Sequence, residues 1–194
     1  RPRVPSAARQ PSRHARRRLQ ELALTDELDK VVVREALVTE LVTGETEHGK
    51  LRALWALQAT RQITDTDLRG AMRDENVHVR VWGVTLAVEG SKPKNPHLDA
   101  LLRMAAEDRA PQVRLALASA LQKLSPKERY PVAQRLVAHA EDADDHHIPL
   151  MLWYGIEPIA GSMPAEMHKL LAECRIPLVR QHLVRRLLEE DAND

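Results

Sequence analysis

The sequence predicts an all-α fold, a right-handed α-solenoid of about five stacked helix pairs preceded by one N-terminal helix. Three observations carry this expectation. Asp74 precedes Val79-Arg80 and Asp108 precedes Val113-Arg114 at one spacing, so that each Arg falls at the sixth position after its Asp. The register also extends past two copies: Asp142 follows Asp108 at the interval that separates Asp108 from Asp74, and Leu68, Leu102 and Leu136 each stand at the sixth position before their Asp, on the expected buried face of a first helix. Composition agrees, with aromatic residues at 3%, no Phe, and a dominance of Ala and Leu that suits closely packed helices and argues against a β-rich fold. A last, irregular copy is Cys174 followed by Val179-Arg180, slightly short of the interval, as expected of a repeat that caps a stack.

Punctuation residues place the elements in order. Residues 1–10 read as a disordered Arg/Pro-rich lead, 11–190 as one domain, and 191–194 as an acidic tail. The first helix is expected over 11–24, with Ala15, Leu19, Leu22 and Ala23 on one face and Thr25 capping the next helix. Helices over 26–42 and 48–60 are separated by Gly44 and Gly49, and the next pair covers 65–73 and 76–89. The linker 90–95 leads to Pro96 at a helix start, where a missing N–H costs nothing. The third pair covers 96–107 and 111–124; Leu98, Leu101, Leu102 and Ala105 face Val113, Leu117, Ala120, Leu121 and Leu124, while Leu115 and Ala118 lie off that stripe toward a neighbouring repeat. Ser125 and Glu128 form a capping-box signal around Pro126. The fourth pair covers 126–140 and 145–157, the fifth 163–174 and 176–190.

No window reaches 18 apolar residues and no hydrophobic signal core follows the N-terminus, so this segment is expected neither to insert into a membrane nor to carry a secretory leader. A start on Arg1 is expected of a piece of a longer protein. One Cys allows neither an internal disulfide nor a CxxCH or CxxC motif.

The Asp and Arg of the repeat read as structural ladder residues. An Asp ahead of a second helix can accept its free N–H groups and lies at the positive end of the helix dipole, and an Arg one turn inside can reach that Asp or the one in the adjacent repeat. Asp74, Arg80, Asp108, Arg114 and Arg180 are therefore assigned to repeat geometry, not to catalysis.

Three features could hold chemistry. Asp142, Asp145, His146 and His147 crowd between two helices and include metal-ligand types, but adjacent His side chains on a helix diverge by about 100°, and acids at a helix N-terminus account for the cluster without a metal. The Arg-rich start, Arg1 to Gln20, holds seven Arg and no acid, and Arg13, Arg16 and Arg17 form a short basic face that could meet phosphate; the favoured reading is a packing helix whose Arg side chains cover a neighbouring domain or the acidic remainder of the chain. Trp55, Trp82, Trp153 and Tyr154 read as gap fillers between helices, except that Trp153 and Tyr154 cannot both enter one groove, leaving one as an exposed anchor beside Glu157.

The runs Leu51-Arg-Ala-Leu-Trp-Ala-Leu57, Val79-Arg-Val-Trp82, Val113-Arg-Leu-Ala-Leu-Ala-Ser-Ala-Leu-Gln122 and above all His147-Ile-Pro-Leu-Met-Leu-Trp-Tyr-Gly-Ile-Glu-Pro158 carry a resemblance. From about Arg13 to Leu188 the chain resembles the HEAT-repeat region of the large membrane-bound dehydrogenases of planctomycetes and their relatives, also called haem-binding CxxCH proteins. The Asp then Val-Arg phrase is shared by HEAT-like proteins in general, within the wider armadillo-like class of α-solenoids; the Ile-Pro-Leu-Met-Leu-Trp-Tyr run is more specific. The resemblance implies a middle module between a sugar-dehydrogenase-like β-propeller and a c-type cytochrome domain, outside the cytoplasm. It assigns no cofactor and no redox residue to this segment, which lacks a CxxCH. The expectation is a monomeric, non-catalytic scaffold that meets a protein partner or its own flanking domains. The alternative is a nucleic-acid-binding solenoid acting through the Arg-rich start.

Overall fold

The computed structural model describes Glu21 and residues 29–90 and 94–191, which contain ten α-helices and no strand. The helix expected over 11–24 and its proposed cap Thr25 lie outside the described residues, Glu21 excepted. Chain contacts divide the protein into two compact units, with the boundary between Ala71 and Met72. The helix before that boundary spans only seven residues and buries only Leu68 and Ala71, a short apolar face.

In the first unit, α1 (Lys30–Thr43) packs against α2 (Glu47–Ala59), and α3 (Asp65–Ala71) follows. Asp29 starts α1 by accepting the N–H groups of Val31 and Val32, both at 3.2 Å, and Thr46 starts α2 by accepting that of Gly49 at 3.1 Å. Leu51, Leu54 and Leu57 of α2 are buried at helical spacing. The chain leaves α2 through Arg61, whose φ of 58° lets the N–H groups of Gln62 and Ile63 return to the Leu57 carbonyl at 2.9 and 3.2 Å. Arg34 of α1 grips both oxygens of Asp67 in α3 at 2.9 and 3.3 Å, and also donates to the Gln62 carbonyl. Burial pushes the Asp67 carboxyl up, but hydrogen bonds from Arg34 and Thr64 outweigh it and hold it below its ordinary value.

The second unit comprises α4 (Val77–Ala87), α5 (Leu98–Glu107), α6 (Pro111–Ala120), α7 (Pro126–Leu136), α8 (Ile148–Ile156), α9 (Pro164–Glu173) and α10 (Pro177–Asp191). Even-numbered helices follow one another in space, α4 on α6, α6 on α8 and α8 on α10, while α5 packs on α7 and α7 on α9. Within pairs, α5 meets α6, α7 meets α8 and α9 meets α10. One core runs through all of them, including Leu101, Leu117, Leu121, Leu136, Leu152 and Met167, each at most 1% exposed. Of the leucines expected on the buried faces of first helices, Leu68 and Leu136 are buried, whereas Leu102 is only half-buried.

Helix ends differ from the sequence reading for local reasons. Asn95 accepts the His97 N–H at 2.8 Å in a tight side-chain turn, so α5 begins at Leu98 and not at Pro96. The same Asn95 donates its amide to the Ala87 carbonyl at the end of α4 and its N–H to Glu128 of α7 at 2.7 Å. Glu128 also closes the capping box on Ser125, accepting from its N–H at 3.3 Å and from its hydroxyl at 2.7 Å. The α6 helix stops at Ala120 and tightens into a 3₁₀ turn over Leu121–Lys123, with the carbonyls of Gln122 and Leu124 taken by Arg129. Gly155 of α8 lies against this turn so closely that a Cβ there would stand 2.6 Å from the Leu121 Cβ. Arg129 is 9% exposed, and its guanidinium donates to the carbonyls of Gly155, Leu124 and Gln122, at the negative ends of helices. Burial lowers its pKa.

Candidate functional site

Two arrays of side chains stand out in the second unit. The first is the series of Arg residues near the start of the second helices. Arg80 donates through Nη1 to the carbonyls of Asp74 and Glu75, both at 3.0 Å, and this anchor aims Nε and Nη2 at the Asp108 carboxylate, 2.8 and 3.1 Å away. Arg114 repeats the pose: Nη1 meets the Asp108 carbonyl at 3.0 Å, and Nε and Nη2 meet the two oxygens of Asp142, each at 2.6 Å. Arg180 keeps the anchor alone, with Nη1 on the Cys174 carbonyl at 3.1 Å. Each of Arg80 and Arg114 thus takes its own phrase's carbonyl and the next phrase's carboxylate. The Asp side chains cap locally as well, Asp74 accepting the Asn76 N–H at 2.8 Å and Asp108 that of Ala110 at 3.0 Å.

The second pair is the drier one. Arg114 is 3% and Asp142 2% exposed, and the hydrogen bonds and charge of Asp142 raise the Arg114 pKa, outweighing burial. At the next junction both partners change together: Ile148 stands where an Arg would follow Asp142, and Cys174 takes the Asp position, and both are buried. Replacing the two members of a buried pair by apolar groups avoids stranding a charge. Burial pushes the Cys174 thiol up, and the thiol donates to the Ile176 carbonyl at 3.5 Å.

The Asp142, Asp145, His146 and His147 cluster is dispersed over other tasks. Asp142 is bound to Arg114, and Asp145 accepts the N–H groups of His147 and Ile148, both at 2.8 Å, which delays the start of α8 to Ile148 and holds its carboxyl low. The two imidazoles meet edge to face at 4.8 Å. Among the described residues no group of three or more His, Cys, Asp or Glu is placed to hold a metal ion.

The second array lies on the exposed face of α6, α8 and α10. Trp153 stacks on His182, with ring centroids 5.0 Å apart and planes 18° off parallel, while Tyr154 stands 55% exposed. Tyr154 borders two grooves. Trp153, Glu157, His182, Arg185, Arg186 and Glu189 line one, and Leu115, Ser119, His147, Leu150 and Met151 line the other. Glu189 pairs with Arg185 at 3.0 Å and Arg186 at 3.9 Å. Of the two adjacent aromatic residues, then, Trp153 is the packed one and Tyr154 the exposed one. Trp55 and Trp82 are half-buried, and Arg13, Arg16 and Arg17 lie outside the described residues.

His182, Arg185 and Arg186 escape a reading that treats each helix by itself. Aligning Cys174 with Asp142 sets Arg185, Arg186 and Glu189 beside Trp153, Tyr154 and Glu157, which places all six on one face. Chemically this face can stack flat groups, cover apolar side chains and exchange charges with its Arg and Glu residues.

By class this is an all-α protein with two Arg-Asp links in its second unit, the Arg114–Asp142 link buried and the Arg80–Asp108 link partly so. In comparison with known proteins, no family model, no curated protein and no solved structure matches the chain.

Proposed function

We propose that this chain is a non-catalytic helical-repeat scaffold, a right-handed HEAT-like α-solenoid, whose second-helix face around Tyr154 receives a protein segment. The observation that carries this reading is the recurrence of the Arg link: Arg80 to Asp108 and Arg114 to Asp142 span the same 28 residues and tie successive helix pairs in one geometry. Such a link sets the rotation between neighbouring units, and a fixed rotation makes a rigid, curved support. The exposed aromatic residue beside paired charges suits the anchor-and-rim pattern of protein interfaces.

The resemblance of the Ile148-Pro-Leu-Met-Leu-Trp-Tyr154 run gives the support a place, between the propeller and cytochrome domains of a large dehydrogenase. A denaturing gel of the native source, probed with an antibody to this segment and stained for covalent haem, tests that placement. A haem-positive band far above 21.9 kDa is the expected result; a haem-free band near 21.9 kDa overturns it. Small-angle scattering tests the solenoid itself, which predicts an elongated particle where a globular bundle predicts a compact one.

A further inference from the structure

We propose that the outer face of α10 docks a further two-helix repeat bearing an aspartate in its inter-helix turn, an inference that rests on the scaffold reading above. Arg180 is held like its counterparts, with Nη1 on the Cys174 carbonyl at 3.1 Å where Arg80 and Arg114 hold the Asp74 and Asp108 carbonyls at 3.0 Å. In α4 and α6 that anchor presents Nε and Nη2 to a carboxylate 28 residues further on. Arg180 is exposed, and no carboxylate among the described residues pairs with it. The apolar surface tells the same story. One helical turn after each Arg come Val84, Ala118 and Val184; the first two are 0% exposed and Val184 is 42% exposed, with Leu188 a turn further on at 64%.

A cation posed for a carboxylate and an apolar strip one turn away occur together at one helix face, in the relation that α4 and α6 satisfy against their neighbours. A phosphate-bearing partner would use the cation and leave Val184 and Leu188 wet. A helical repeat covers both.

The test replaces residues 192–194 with a copy of residues 126–159, which sets the copied aspartate 28 residues beyond Arg180, the interval from Arg114 to Asp142. The extended chain is expected to gain helical signal and to melt at least about 3 °C higher. Arg180→Ala should remove most of that gain while shifting the unextended chain by no more than about 2 °C. Three results each overturn the proposal: an extension that forms no added helix, one that brings no rise in melting temperature, and a rise that Arg180→Ala leaves intact. Arg114→Ala in the unextended chain reports separately on the scaffold, so a normal loss there with a failed extension sinks the docking face alone.

Discussion

Truncating Arg114 to Ala removes the guanidinium from the driest link in the protein and leaves its partner in place. Asp142 is 2% exposed and takes two hydrogen bonds of 2.6 Å from Arg114, so its carboxylate would be stranded without water or cation, and the Asp108 carbonyl would lose its 3.0 Å donor. Breaking a buried pair from one side costs about 3–5 kcal/mol, a large part of the roughly 5–15 kcal/mol that holds a domain folded. At roughly 2–4 °C per kcal/mol for a chain of this size, the melting temperature should fall by about 6–20 °C. Thermal melts followed by far-UV circular dichroism read this directly. The double change Arg114→Ile with Asp142→Cys copies the neighbouring Ile148 and Cys174 junction, and it should recover more than half of the loss because no charge is left behind. A single variant that melts within about 1 °C of the parent, or a double variant worse than the sum of its parts, would refute the link as a structural tie.

Gly155→Ala drives a Cβ to 2.6 Å from the Leu121 Cβ, a backbone-proximal atom that cannot swing away, so a loss of about 1–3 kcal/mol should appear as a lower urea midpoint. Arg61→Gly relieves a φ of 58° that costs a side-chain-bearing residue about 1–2 kcal/mol, less what glycine's unfolded freedom takes back, so a gain of roughly 0.5–1 kcal/mol is expected in the same assay. Burial raises the Glu128 carboxyl, but bonds from Asn95 and Ser125 outweigh it and leave its folded pKa below the unfolded one; the unfolded chain therefore binds the proton more readily, and this stability is present above the ordinary Glu range and lost as pH falls through the folded pKa. Glu128→Gln should flatten the acid side of the stability-against-pH curve, and an unchanged acid limb would count against the clasp.

Helix identities were legible because the sequence punctuates them with residues whose chemistry is local. Ser125, Glu128 and Pro126 announce α7, and Pro111 and Pro177 stand at the first positions of α6 and α10. Ends set by longer-range or competing bonds were not legible: Asp145 takes two N–H groups and shortens α8, and Arg129 takes carbonyls that let α6 finish in a tighter turn. The candidate site divides in the same way. The interval between Asp and Arg is visible in the sequence, but two carboxylates lie within reach of each Arg and only the fold chooses the later one. The role of Arg129 has no mark in the sequence, since its partners are backbone carbonyls that carry no sequence signature. Leu102 looked identical to Leu68 and Leu136 in register, yet it is half-exposed, because a repeat interval fixes position on a helix and not what lies opposite.

The order of junctions in the second unit, two ionic and then one apolar, restricts how such a chain can grow or shrink. Loss of one full repeat interval, the segment that carries α5 and α6, would bring Arg80 opposite Asp142, and the exchanged link would still close. Loss of the slightly shorter interval that carries α7 and α8 would bring Arg114 opposite Cys174, a buried cation facing a thiol kept neutral by its surroundings. Deletion or duplication is therefore tolerable at one seam and ruinous at the other, so the side chains at the junctions give the pairs a fixed order.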